Sequence, residues 1–179
     1  MARLAPLSPA AVPDLAPVLE AGRKIMGFLP NDGLTMARRP ALLRAVLGLV
    51  EAVYAPGEVD AGFKRLLGEV ASRAAGCRYC EAHAANGAAR NGIDAARLAA
   101  VWTFDRSELF SPAERAALRL ALAAGQVPNA VTDESFAELR RHWTDDQIVE
   151  LLGVLSLYGF LNRWNATLNT DLEAYFTGP

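Results

Sequence analysis

The chain has 179 residues, 52% of them hydrophobic, and a formal net charge of −2. That length and apolar content suffice for a core of its own, which excludes a disordered segment. The slightly acidic balance excludes a broad basic surface for nucleic acid or an anionic membrane. No stretch reaches the ~20 apolar residues of a membrane-spanning helix. Pro6, Pro9 and Pro13 interrupt any continuous apolar signal core near the N-terminus, so the expected location is the cytoplasm.

Ala and Leu dominate and no run alternates with period two, which predicts an all-α fold. The proline-rich residues 1–10 read as a flexible N-terminal arm, and residues 11–179 as a single helical domain. A first helix is expected from about Pro13 to Met26. The connector Phe28 to Pro40 carries an Asn-Asp-Gly turn and room for a short helix near Thr35. Pro40 suits the first position of a helix running to about Tyr54. The next helix starts near Asp60 and stops at Gly76. Phe63, Leu66, Leu67, Val70 and Ala74 mark its core face. A helix then opens at Cys77 and ends near Arg90, and Asp94 caps another through Val101. Ser111-Pro112-Ala113-Glu114 is a capping box whose helix should end at Gly125. Thr132 or Asp133 starts a helix to about Trp143. Thr144-Asp145-Asp146-Gln147 is a second capping box, opening a long helix through Trp164. A last short helix is expected from Asp171 to Phe176. The sum is a bundle of seven to nine helices.

The chemistry concentrates in Gly76 to Gly87, "GCRYCEAHAANG", which holds both cysteines and one of the two histidines. Cys77, Cys80 and His83 recur every three residues and so share a helical face. A disulfide needs Cα atoms ~4.4–6.8 Å apart, a separation one helical turn provides. The two thiols can therefore cycle between dithiol and disulfide. His83 can take a thiol proton or stabilise the thiolate, which is the nucleophile. The partial positive charge at the helix start acts most on Cys77, whereas His83 is nearer Cys80. Zinc is the alternative: Cys77, Cys80 and His83 would supply three ligands of a metal-binding or structural assembly. A second cysteine pair is missing, and the other histidine, His142, reads as a helix-end residue. Tyr79 either packs on a neighbouring helix or serves the site. Glu81 points away from the cysteine face. Asn162-Arg163-Trp164-Asn165 either ends its helix or lines the cysteine pocket.

The stretch "GCRYCEAHAANGAARNGI", preceded by "FKRLLGEVASRAA" and followed near the C-terminus by "NRWNATLN", resembles the AhpD-like family of alkylhydroperoxidases and carboxymuconolactone decarboxylases. The resemblance implies an AhpD-like helical bundle assembled as trimers or hexamers, with peroxidase or disulfide-reductase activity. It further implies that Cys80 attacks a hydroperoxide and Cys77 resolves the product to a disulfide. An external thiol or protein reductant would restore the pair, with no cofactor required. The best-studied members carry the histidine one position later, and a relay glutamate at the position occupied here by Arg65. Glu69, one turn on, is the candidate to replace it beside His83. It could equally pair with Arg65 or Arg73.

Overall fold

The computed structural model describes residues 1–177; the last two residues of the expected 11–179 domain lie outside the described residues. The helices are α1 (Ala16–Met26), α2 (Asn31–Met36), α3 (Pro40–Val53), α4 (Ala61–Ala74) and α5 (Arg78–Arg90). They continue as α6 (Ala95–Ala100), α7 (Pro112–Ala124), α8 (Asp133–Arg140), α9 (Asp145–Leu168) and α10 (Ala174–Thr177). There is no strand among the described residues, and the fold is all-α in one domain. The helix count exceeds the expected range because both optional short helices, α2 and α10, form.

Local chemistry sets most boundaries. Asp60, Asp94, Ser111, Thr132 and Thr144 each cap their helix by accepting a backbone N–H three residues on. Ser111 and Thr144 complete the expected capping boxes with Glu114 and Gln147. Two ends differ from expectation. α8 stops at Arg140, because His142 and Trp143 both donate to the Leu139 carbonyl in a closing turn. α9 runs one turn past Trp164 and ends where Asn169 turns left-handed at φ 49°. The first ten residues, expected as a loose arm, lie against other parts of the chain. Arg3 N–H donates to the Leu168 carbonyl, and Leu7 N–H to that of Leu34.

α4 is the axis of the molecule. Every residue from Gly62 to Ser72 is buried, and α5, α7 and α9 pack around it. Phe63, Leu66, Leu67 and Val70 are in the core as expected. So are Lys64, Arg65 and Glu69, charges that a helix with an outer face would expose. Lys64 Nζ is held by Glu150 of α9 at 2.6 Å and donates to the Val53 carbonyl. A second apolar cluster joins Leu15, Leu19, Leu34, Met36 and Leu43 from the N-terminal elements. A cavity opens at the seam between the two clusters.

Close approach of α4 and α9 depends on Gly68. A Cβ there would lie 2.2 Å from a ring carbon of Tyr158. Gly68→Ala should therefore force the helices apart and lower unfolding stability by about 1–3 kcal/mol. The urea midpoint checks this, and an unchanged midpoint contradicts it.

Candidate active site

The turn between α4 and α5 builds the thiol pair. Gly76, at φ 71°, closes α4: Cys77 N–H donates to the Ser72 carbonyl and Gly76 N–H to that of Arg73. This double bond pattern is a Schellman closure, which needs the left-handed residue that glycine supplies. Cys77 leaves that turn as the N-cap of α5 and does not lie within the helix. Its Sγ accepts the Cys80 backbone N–H at 3.5 Å.

Both thiols are buried, at 2% and 3% exposure, yet they differ electrostatically. A hydrogen bond from the Cys80 side chain lowers the Cys77 pKa against the cost of burial, aided by the N–H groups of Cys80 and Tyr79. Burial pushes the Cys80 thiol well up, and the bond to Cys77 adds to this; Asn165 opposes it. The resting dithiol therefore keeps its more acidic sulfur on Cys77. The sulfurs also face different spaces. Cys80 lines the seam cavity, while Cys77 lines a separate polar groove with Gly76, Arg78, Asn165 and Asp171.

His83 stands one turn beyond Cys80 and also lines the cavity. Its Nε2 lies 2.7 Å from Oε2 of Glu173. The Tyr79 hydroxyl donates to the other Glu173 oxygen at 2.7 Å, and Asn31 N–H donates to the same oxygen at 2.7 Å. Burial alone would raise the Glu173 carboxyl. The imidazole's hydrogen bond and charge, with the Tyr79 and Asn31 bonds, hold it below the ordinary range. The imidazole is boxed by Tyr79 at 4.0 Å between ring centres, Phe176 at 5.0 Å and Phe28 at 5.1 Å. Glu173 and Phe176 belong to the C-terminal segment, which thus supplies both a carboxylate and a wall.

Asn165 Nδ2 donates to the Cys80 sulfur at 3.3 Å and to Asp32 Oδ2 at 3.1 Å. The polar cluster at the end of α9 therefore reaches the cysteine pocket through Asn165, which is 1% exposed. Tyr79, between the cysteines in sequence, serves the site through its hydroxyl. Burial and the carboxylates of Asp32 and Glu173 keep that phenol protonated.

Glu69 is buried but makes no hydrogen bond to His83, whose carboxylate partner is Glu173. Its Oε2 has no hydrogen-bond partner. The charges that act on it are Glu81 and Arg73, on the other side of the α4–α5 contact. Arg65 and Glu69, four residues apart on α4, nonetheless meet different neighbours. Arg65 lines the cavity, with its guanidinium carbon 3.5 Å from the centre of the Tyr54 ring. Glu81 forms an ion pair with Arg73 at 3.9 Å, and His142 Nε2 lies 3.2 Å from Glu138 Oε1. Among the described residues no three His, Cys, Asp or Glu side chains converge as metal ligands. No helix among the described residues is long and apolar enough to cross a membrane.

Glu173, Asp32 and Asn165 complete the constellation of Cys77, Cys80 and His83. Only Asn165 had a local sequence cue, in the polar cluster ending an apolar helix.

With this geometry in view, comparison with known proteins gives a consistent answer. The sequence profile of the carboxymuconolactone decarboxylase family matches residues 40–123. The debrominase Bmp8 has a known structure, both apo and as a Cys-to-Ala variant in complex with 2,3,4-tribromopyrrole. It is 34% identical to this chain over 96% of its length and 91–92% of that protein's, with a TM-score of 0.90. An AhpD-core, peroxidase-related protein of Ralstonia eutropha JMP134 is 25% identical, with TM-score 0.79, over 98% of this chain and 94% of that one. The YdfG protein of Bacillus subtilis (strain 168) is 28% identical over 91 residues, 50% of this chain. That match spans 60% of YdfG's own length. The chain belongs to the AhpD-like, carboxymuconolactone decarboxylase family.

Burial and the nearby Glu81 carboxylate, against a weaker pull from Arg73, raise the Glu69 carboxyl from 4.5 to about 7. Folding then takes up a proton between those two values. Stability falls as pH rises through this window, by on the order of 3 kcal/mol once pH is above about 7. Glu69→Gln should flatten that part of the profile and be the more stable form above neutrality. Urea unfolding of both proteins across pH measures it; parallel profiles would contradict the assignment.

Proposed function

We propose that this protein is a dithiol-dependent reductase. Cys77 and Cys80 deliver two electrons to a small, mainly apolar substrate seated in the seam cavity and finish as a disulfide. The observation that carries this reading is the placement of Cys80, alone of the two sulfurs, on that cavity, with Cys77 behind it and the His83–Glu173 pair beside it. The cavity holds about 110 Å³. That is close to the ~150 Å³ engineered cavity that admits benzene, so a single ring or a short chain is the right size.

The likeness to Bmp8 over nearly the whole chain favours a halogenated aromatic as the acceptor. The Cys80 thiol gives its proton to the His83–Glu173 pair, which passes a proton to the ring carbon; the Cys80 sulfur then attacks bromine, and the carbon–bromine bond breaks with its electron pair returning to the ring. Cys77 thiolate then attacks the Cys80 sulfur, the S–S bond forms and bromide leaves. One aryl bromide and two thiols thus become an arene, hydrogen bromide and a disulfide, which an external dithiol reduces again.

A second reading is the alkylhydroperoxidase expected from sequence, favoured by the imidazole–carboxylate pair that a proton relay needs. There Cys80 cleaves the O–O bond, an alcohol leaves, and Cys77 condenses with the sulfenic acid to release water. Glu173, and not Glu69, is the carboxylate of that relay.

Either activity suits a cytoplasmic protein, where thiol reductants regenerate the pair. Homo-oligomers, trimers or hexamers, are supported by Val149, Leu152 and Phe160, which leave one side of α9 apolar and exposed.

The test supplies dithiothreitol with 2,3,4-tribromopyrrole or cumene hydroperoxide and follows bromide release or peroxide loss. Cys77→Ser and Cys80→Ser should each abolish turnover. Glu173→Gln should slow it by about 10²-fold. A Cys80→Ser protein that turns over either compound at the parent rate would end the proposal.

A further inference from the structure

Arg65 is 7% exposed and sits where an apolar cavity would ordinarily hold no charge. A buried charge without an opposite partner is costly, and proteins pair such groups as a rule. The other buried cation of α4, Lys64, is paired with Glu150. Among the described residues no carboxylate forms an ion pair with Arg65. Its neighbours are neutral. The guanidinium lies over the face of Tyr54, whose hydroxyl donates to Tyr158, and both phenols are raised by burial. The side-chain stem runs past Gly87 of α5, where even a Cβ would come within 3.0 Å of Arg65 Cδ. Tyr54 beneath and Gly87 alongside therefore hold the cation toward the cavity.

The same cavity has one carboxylate on its wall, Asp32, and it is held by neutral groups. Its Oδ1 accepts from Gly33 N–H at 2.7 Å and Oδ2 from Asn165 at 3.1 Å, while the Tyr79 hydroxyl, 3.5 Å from Oδ1, gives its proton to Glu173. Glu173 is held by His83, Tyr79 and Asn31. Neither forms an ion pair with Arg65. The cavity thus combines apolar walls from α1, α3 and α9, a sulfur, and one cation without an ion-pair partner among the described residues.

We propose that Arg65 is the anion-binding residue of this cavity and that its ligand is a small halogenated aromatic carrying one negative charge, such as a halophenolate. The ring packs among Leu19, Met36, Val46 and Leu161, and the charged oxygen meets the guanidinium. This deepens the dehalogenase reading and rests on it. An anionic ring is also the chemistry that step requires. It is electron-rich enough to take a proton on carbon, and the sulfur then removes bromine with the bonding pair returning to the ring. Substrate charge and reaction type therefore point to one class of compound.

The test separates binding from chemistry. In Cys80→Ser protein, which cannot turn over, 2,6-dibromophenolate and its neutral methyl ether, 2,6-dibromoanisole, are titrated calorimetrically at a pH where the phenol is ionised. The phenolate should bind about ten-fold tighter or more, a preference lost in Arg65→Met and partly restored in Arg65→Lys. Equal binding of phenolate and ether overturns the inference without any Arg65 variant. An Arg65→Met protein that keeps the preference also overturns it. Phenolate preference with no bromide release from the parent enzyme leaves the anion site standing and removes the dehalogenase reading. Bromide release without phenolate preference does the reverse.

Discussion

A charge buried on a helix must find its answer inside the protein, and α4 buries three of its four. Lys64 is answered by a short ion pair to α9 and a backbone carbonyl. Glu69 is answered by protonation, since burial and Glu81 make its charged form unfavourable near neutrality. Arg65 has neither recourse and rests on an aromatic face at the edge of a cavity. These answers tie the central helix to α9, to the α4–α5 contact and to the substrate space. They also turn burial, which usually suppresses chemistry, into the means of creating it.

The two cysteines show the same economy on a smaller scale. One residue, Gly76, lets a single turn end α4 and begin α5, and Cys77 belongs to both ends of that turn. Its sulfur collects N–H groups and a thiol proton, so it is the better thiolate. Cys80 is the sulfur that a ligand in the cavity meets. In the proposed reaction, this separation of acidity from access lets one sulfur stay poised while the other receives the substrate. The imidazole beside them is held by a carboxylate and rings from three different parts of the chain. Its orientation is therefore a property of the whole fold.

What the sequence disclosed follows from the range of the interactions involved. Caps at Asp60, Asp94, Ser111, Thr132 and Thr144 act across three residues, and all were legible because both partners lie in one short window. The grouping of Cys77, Cys80 and His83 was legible for the same reason. Glu173 reaches His83 across 90 residues, and Asp32 reaches Asn165 across 133. Nothing local marks either. Glu69 fell between these cases. Helical spacing placed it near Arg65, but on a helix buried all round, spacing cannot say which neighbour a side chain meets. The charges it meets are Glu81 and Arg73, and the imidazole is held by Glu173. Asn165 was visible only as a polar residue in an apolar helix, a pattern that helix ends also produce.

The segment that the family profile matches, residues 40–123, contains the thiols, the imidazole and Arg65, while Asp32, Asn165 and Glu173 all lie in the flanks. The reactive atoms and the groups that aim them are thus encoded in separable stretches of chain. On the proposed reading, substitutions in the flanks can retune proton delivery and pocket shape without touching the cysteine motif. Two proteins that share the motif letter for letter can accordingly run different reactions, and the motif alone is a poor guide to which.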